Sequence, residues 1–123
     1  MPSDARGTVL GLPLDPIDLD AAAQRVRTLA AADAPASVVT LNPELVVRAR
    51  HDAHLAAAVR DADLVVPDGV GVVWAARRAG LAPLGRVPGV ELAQAVLAQD
   101  GGRLPTFLLG GRPGVADRAA ERV

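Results

Sequence analysis

The sequence DLVVPDGVG, residues 63–71, decides the predicted fold, because it joins a short apolar segment to a helix through one acidic residue. Residues 64–66 predict a buried strand, Pro67 ends it, and Asp68 follows at its carboxyl end. Two glycines then allow a tight turn into an apolar helix that begins near Val70. In an open parallel sheet, ligands bind outside the carboxyl ends of the strands, which makes Asp68 a candidate catalytic base. Pro-Asp-Gly is also a favourable turn in which the Asp bonds its own backbone, and this stretch alone leaves both interpretations open.

The composition indicates one small domain. Half of the 123 residues are apolar, and the net charge of −1 gives no indication of nucleic-acid binding. Trp74 and Phe107 are the only aromatic residues, so the sequence offers few side chains that could stack on nucleic-acid bases. The sequence has no cysteine for disulfides or thiolate metal sites, and no lysine for a Walker A phosphate loop. Residues 1–30 lack the pattern of a signal peptide and no long apolar run occurs, so we expect a soluble cytoplasmic protein.

Apolar strands alternate with helices along the chain. The predicted strands are residues 8–12, 37–41, 64–66 and 106–109. The predicted helices are residues 19–32, 45–50 with a start at 42–44, 52–60, 70–79, 89–99 and 115–123. This alternation predicts an α/β domain over residues 8–123, after a disordered start at 1–7, with a parallel sheet covered by helices on both faces.

Three loops, residues 40–44, 68–71 and 110–114, are expected at one edge of this sheet, because each follows a predicted strand. Thr40 offers a hydroxyl and Asn42 an amide to a ligand. Asn42 also precedes a proline and a glutamate, which is the pattern of a helix N-cap. Capping and ligand binding therefore explain Asn42 equally well.

The loop at residues 110–114 places Gly110 and Gly111 beside Arg112 at a predicted helix start. Backbone N–H groups at such a start attract anions, and a diphosphate is the expected biological anion. A plain turn from strand to helix is the alternative. Arg86, in the loop before the fifth predicted helix, either faces the same crevice or lies in solvent.

Two possible metal motifs are rejected, and so is a dinucleotide motif. Asp61 and Asp63 precede their strand, which at roughly 3.3 Å per residue places them on the order of 15 Å from its carboxyl end. His51 and His54 lie one helical turn apart with one acidic neighbour, which favours solvated side chains. The glycine fingerprint of dinucleotide-binding folds fails because Trp74 stands at its third glycine position. We therefore expect neither a metal nor a cofactor.

Four ordered motifs resemble the WecG/TagA/CpsF glycosyltransferases of bacteria. They are VTLNPE at residues 39–44, DLVVPDGVG at 63–71, RVPGVEL at 86–92 and FLLGG at 107–111. The resemblance covers the chain from about residue 9 to residue 123. Four motifs in the same order make it much more specific than any one of them.

The resemblance implies an inverting transfer of a sugar, typically N-acetylmannosamine, from its UDP form to a lipid-diphosphate-linked N-acetylglucosamine. Such products feed teichoic-acid linkage units, enterobacterial common antigen, capsule or exopolysaccharide. The family reaction is thought not to need a metal. Asp68 matches the proposed base, while Thr40 and Asn42 match polar positions that line the pocket. The implied partners are a UDP-sugar donor, an undecaprenyl-diphosphate-linked acceptor and a membrane surface, which the missing carboxyl-terminal part would contact. A homo-oligomer is also expected.

The residues fit this chemistry, because one carboxylate can activate the acceptor hydroxyl while N–H groups and arginine hold the diphosphate. We predict that Asp68 is the catalytic residue. The predicted substrate-binding residues are Thr40, Asn42, Gly69, Gly71, Arg86, Gly110, Gly111 and Arg112.

Two features depart from the family pattern. Glu91 stands where the family usually has Asp, and the family's Rossmann-like domain is nearly twice this length with a membrane-associating carboxyl-terminal appendage. We therefore expect an incomplete Rossmann-like sheet, the amino-terminal part of an enzyme that acts at the inner face of the plasma membrane. The alternatives are a non-catalytic nucleotide-sugar-binding module or an inactive truncated fragment. A phospho-acceptor domain is disfavoured, since its acidic pair and lysine are missing.

Overall fold

The computed structural model describes residues 5–83 and 85–123 and contains two small sheets with six helices in those ranges. The strands are β1 (Gly7–Val9), β2 (Leu12–Leu14), β3 (Val38–Leu41) and β4 (Leu64–Pro67). The helices are α1 (Leu19–Ala31), α2 (Pro43–Ala49), α3 (Ala53–Asp61), α4 (Val70–Arg78), α5 (Gly89–Asp100) and α6 (Val115–Ala120). None of these helices is long and apolar enough to cross a lipid bilayer.

Strands β3 and β4 pair in parallel, with Val38 opposite Leu64 and Leu41 opposite Pro67. Their carboxyl ends therefore meet at one edge, where the backbone N–H of Asp68 donates to the Leu41 carbonyl at 2.8 Å. The prediction that the loops after these two strands share an edge is confirmed.

Helices cover both faces of this parallel pair, as the sequence predicts. The side chains of β4 alternate between two apolar clusters, because successive residues of a strand point to opposite faces. Val65 packs with residues of the β1–β2 hairpin, α2, α3 and α4. Leu64 and Val66 pack with residues of α1 and α5. The α/β class with helices on both faces is confirmed.

The beginning of the chain differs from the prediction. The sequence predicts one strand at residues 8–12, but the structure has a hairpin whose two-residue turn is Leu10 and Gly11, with φ of 53° and 80°. Positive φ at both turn residues matches the twist of paired strands, although Leu is an unusual choice there. The predicted disorder over residues 1–7 is wrong for Arg6, which forms an ion pair, and for Gly7, which lies in β1. Residues 1–4 lie outside the described ranges.

A buried acidic residue, Asp15, connects the hairpin to β4. Its N–H donates to the Val65 carbonyl at 2.7 Å, and its carboxylate accepts the Val65 N–H at 2.7 Å. Arg6 donates to the same carboxylate at 2.8 and 3.0 Å and to the Ala62 carbonyl at 2.9 Å. The hydrogen bond to Asp15 raises the pKa of the Arg6 guanidinium. The Arg6–Asp15 pair therefore fixes both the hairpin and the start of β4.

The predicted strand at residues 106–109 is wrong. This segment has no regular structure, and the side chains of Phe107 and Leu109 are 86% and 91% exposed. Among the described residues this segment pairs with neither β3 nor β4. The second edge of β4 is already occupied, because Asp15 bonds the N–H and the carbonyl of Val65 and the Val87 N–H donates to the Pro67 carbonyl at 2.5 Å. Pro67 also has no N–H to offer. The last helix, α6, ends at Ala120 instead of residue 123 and buries no residue.

Candidate functional site

Asp68 lies half-buried at the carboxyl end of β4 and faces the start of α5. Its Oδ2 accepts the backbone N–H of Gly89, the first residue of α5, at 3.5 Å. This distance is longer than a usual N–H···O bond, so the carboxylate is only weakly engaged. The positive end of the α5 dipole favours negative charge at this position. Because its bond to Gly89 is weak, the carboxylate is free to accept a hydrogen bond from a bound hydroxyl.

Thr40 belongs to the same cluster as Asp68, as the sequence predicts. A Cβ atom added at Gly89 would lie 3.2 Å from Thr40 Cγ2 and 3.3 Å from its Oγ1. A side chain at residue 89 would therefore require Thr40 or the start of α5 to move by a few tenths of an ångström. Sequence reasoning did not select Gly89 as a site residue, because a Pro-Gly pair such as that at residues 88–89 indicates a turn but not what the glycine contacts.

Asn42 caps α2. Its side-chain oxygen accepts the backbone N–H of Leu45 at 2.8 Å, and Pro43 occupies the first turn of the helix. The capping interpretation is thus confirmed, and a ligand contact stays a prediction. Such a contact would use the amide nitrogen, which makes no hydrogen bond within the described ranges.

Gly69 and Gly71 allow the starts of α2 and α4 to pack closely. A Cβ at Gly69 would lie 3.3 Å from Pro43 Cδ, and one at Gly71 would lie 3.1 Å from Pro43 Cγ. Gly69 also has φ of 123°, a conformation that other residues rarely adopt. The observed role of both glycines is backbone geometry, and substrate binding by either remains a prediction.

Two helices begin at this edge without a side-chain cap. Gly69 is the N-cap of α4 and Pro88 is the N-cap of α5, and neither side chain accepts a backbone N–H. Apart from the Gly89 N–H, which Asp68 accepts at 3.5 Å, the first N–H groups of both helices have no side-chain acceptor among the described residues, and such groups bind anions. The edge combines a carboxylate, a hydroxyl and two sets of helix N–H donors.

Arg86 lies close to this edge, because the next residue, Val87, donates its N–H to the Pro67 carbonyl at the end of β4. The exposed Arg86 side chain lines a cleft of about 410 Å³ between α4 and its own loop. The other lining residues are Val70, Val73, Trp74, Arg77 and Gly85. This cleft includes neither Asp68 nor Thr40, so a position of Arg86 in the crevice at the sheet edge and its contact with substrate both remain predictions.

No strand positions Gly110, Gly111 and Arg112 at the sheet edge. All three are exposed, α6 begins only after Gly114, and the Arg112 side chain makes no hydrogen bond or ion pair within residues 5–83 and 85–123. The predicted place of this loop at the sheet edge depends on the strand at residues 106–109, which is not formed. Its contact with a diphosphate stays a prediction without structural support.

The acidic pair rejected as a metal motif lies at the other end of the sheet. The Asp63 carboxylate accepts the Ser37 N–H at 2.9 Å, which fixes the segment that leads into β3. Asp61 ends α3. Across the described parts of the chain, no three His, Cys, Asp or Glu side chains come close enough to hold a metal ion.

Comparison with known proteins identifies the family. The sequence model of the "Glycosyl transferase WecG/TagA/CpsF family" matches residues 7–123. The chain is also 32% identical, over 89 residues, to an "N-acetylglucosaminyldiphosphoundecaprenol N-acetyl-beta-D-mannosaminyltransferase" of Bacillus spizizenii. That match covers 72% of this chain and 35% of the relative. The matched range spans the positions of Asp68, Thr40 and Gly89. The chain belongs to the WecG/TagA/CpsF glycosyltransferase family.

Proposed function

We propose that the polypeptide containing these residues is an inverting hexosyltransferase that moves an N-acetylhexosamine from a UDP-sugar to a lipid-diphosphate-linked sugar. The observation that carries this proposal is the cluster of Asp68, Thr40 and the uncapped starts of α4 and α5 at one sheet edge. The name of the Bacillus relative supports N-acetylmannosamine as the sugar and N-acetylglucosaminyl-diphospho-undecaprenol as the acceptor. We further propose that β3 and β4 belong to a Rossmann-like sheet.

In the proposed reaction, Asp68 acts as the general base. Its carboxylate takes the proton from the acceptor hydroxyl, and the hydroxyl oxygen forms a bond to the anomeric carbon of the donor sugar. The bond between that carbon and the diphosphate oxygen breaks on the opposite face, and UDP leaves with the electron pair. Attack and departure on opposite faces invert the anomeric configuration. The long bond to Gly89 is easily exchanged for one to the acceptor hydroxyl.

The leaving UDP gains negative charge as its bond to the sugar breaks. The first N–H groups of α4 and α5 are aligned donors whose helix dipoles favour an anion, and Arg86 adds a full positive charge nearby. In the proposed reaction these groups stabilise the negative charge on the leaving UDP. Thr40 supplies a hydroxyl beside Asp68 that orients the donor or the acceptor.

The acceptor lipid sets where the reaction takes place. An undecaprenyl chain lies in a bilayer while its diphosphate and sugar lie at the surface, so we propose that the protein acts as a peripheral protein at the inner face of the plasma membrane. Products of this kind supply teichoic acid or other cell-surface polysaccharides.

The direct test is a transfer assay on the full natural polypeptide with UDP-N-acetylmannosamine and a short-chain lipid-diphosphate N-acetylglucosamine. We expect a disaccharide product whose new linkage has the opposite anomeric configuration to the donor, measured by NMR. Binding of the UDP-sugar without any product would instead favour a non-catalytic nucleotide-sugar-binding module. A product with retained configuration would contradict the single displacement described above.

A further inference from the structure

We propose that the outer face of α4 docks on an anionic lipid bilayer. The outer face is defined by Val70, Trp74, Arg77 and Arg78. The inference rests on the proposed function only for the presence of a membrane. Its test measures lipid binding and not sugar transfer, so the two proposals fail separately.

The outer face combines large apolar side chains with exposure. Val70 and Trp74 are 78% and 65% exposed, although tryptophan is highly buried on average in folded proteins. The opposite side of the helix is buried and packs in the core through Val72 and Ala76. The spacing of the four outer residues, i, i+4, i+7 and i+8, puts them on one side of the helix. α4 therefore has apolar side chains on its exposed side as well as on its buried side.

The charge around α4 fits an anionic surface. Residues 69–90 contain three arginines and no acidic residue, whereas the whole chain has a net charge of −1. Arg77 and Arg78 lie on the outer face, and Arg86 lines the cleft beside it. Residues 69–90 are therefore net positive, although the chain as a whole is slightly negative. This complementarity selects an anionic bilayer over an uncharged partner.

The contacts of Trp74 and its arginines suit a membrane interface. The Arg78 guanidinium lies 5.4 Å from the centre of the Trp74 ring, close enough for a cation–π contact. Arg77 donates one bond to the Pro83 carbonyl at 3.3 Å, which holds its side chain along the cleft and leaves other N–H groups free for phosphate. Tryptophan is enriched at the headgroup level of bilayers, and arginine keeps its charge in water while its stem covers apolar surface.

Docking through this face would also orient the candidate site. Asp68 is two residues before α4, so a bilayer against the helix lies next to the edge where an acceptor hydroxyl must arrive. The proposed base and the lipid surface are then on neighbouring sides of one short helix. This arrangement suits an acceptor whose sugar projects only a short distance from the membrane.

Trp74 is the only tryptophan of the chain, so its fluorescence reports this face alone. The full natural polypeptide, if it has further tryptophans, is measured with those replaced by phenylalanine. With phosphatidylglycerol vesicles we expect a blue shift of Trp74 emission and quenching by lipids brominated on the acyl chains. Phosphatidylcholine vesicles should produce neither effect. The binding should weaken as salt is added, because exposed charges are screened.

Paired variants separate this surface from general electrostatic attraction. R77Q/R78Q should lower binding to phosphatidylglycerol by about 25-fold, since each arginine near an anionic surface contributes about fivefold. R118Q/R122Q makes the same charge change on the exposed carboxyl-terminal segment and should lower binding less than about threefold. Circular dichroism checks that both variants keep the native helix content.

Three results would overturn the proposal. The first is unchanged Trp74 emission with phosphatidylglycerol vesicles, and the second is an equal loss of binding in the two paired variants. The third is a Trp74 that acrylamide cannot quench before any lipid is added, which would mean that a second copy or another part of the polypeptide already covers the face. Transfer to a water-soluble short-chain acceptor would remain measurable in each case, so these results leave the proposed function standing.

Discussion

Replacing Asp15 with alanine should destabilise this fold strongly. The carboxylate accepts the Val65 N–H at 2.7 Å, and Val65 is fully buried in β4. The substitution leaves this N–H without an acceptor, which costs about 1–3 kcal/mol. Arg6 also loses its partner, but its side chain is 33% exposed, so water partly replaces the carboxylate and the lost ion pair adds only about 1 kcal/mol. We expect the free energy of unfolding to fall by about 2–4 kcal/mol.

Urea denaturation followed by far-UV circular dichroism measures this effect. Asp15→Asn should cost less, about 1–2 kcal/mol, because its amide oxygen still accepts the Val65 N–H while the ion pair with Arg6 is lost. Asp33→Ala is the matched control: Asp33 lies exposed between α1 and β3, and its replacement should change stability by less than about 0.5 kcal/mol. If Asp15→Ala unfolds at the same urea concentration as Asp33→Ala, the carboxylate does not hold the hairpin to β4, and the reasoning is refuted.

Three further predictions concern the sheet edge. Asn42→Ala removes the cap of α2 and should lower the free energy of unfolding by about 1 kcal/mol, measured by the same denaturation; no change would mean that the cap is dispensable. Gly89→Ala places a Cβ 3.2 Å from Thr40 and should lower kcat about tenfold with native circular dichroism, and full activity would remove Thr40 and Gly89 from the site. Arg86→Ala should weaken UDP-sugar binding in calorimetry more than Arg112→Ala; the reverse order would place the diphosphate at the exposed loop.

Local signals make the site predictable in part. Asn42, Pro43 and Glu44 each favour a helix start, and the apolar run before Asp68 favours a buried strand, so neighbouring residues alone are enough to locate both loops. Parallel pairing then follows from the alternation of strands and helices. These signals depend on contacts within a few residues, and the structure confirms them.

Non-local contacts are not predictable in the same way. The Arg6–Asp15 pair joins residues nine apart, and Asp15 bonds Val65 across fifty positions, so no sequence pattern marks either contact. The apolar run at residues 106–109 has the pattern of a strand, but a strand also needs a partner with a free edge. Among the described residues this segment pairs with neither β3 nor β4, so the sequence pattern is insufficient there.

The central claim, that Asp68 is the general base of a sugar transfer, is tested most directly by Asp68→Asn in the full natural polypeptide. The amide has the same shape but does not accept the acceptor's proton, and general bases contribute about 10²–10⁴-fold to rate. We predict that kcat for transfer falls by at least about 100-fold, while UDP-sugar affinity and the unfolding midpoint stay close to those of the unaltered protein. Turnover that remains within about fivefold of the unaltered enzyme, far smaller than a general base's contribution, would contradict the claim.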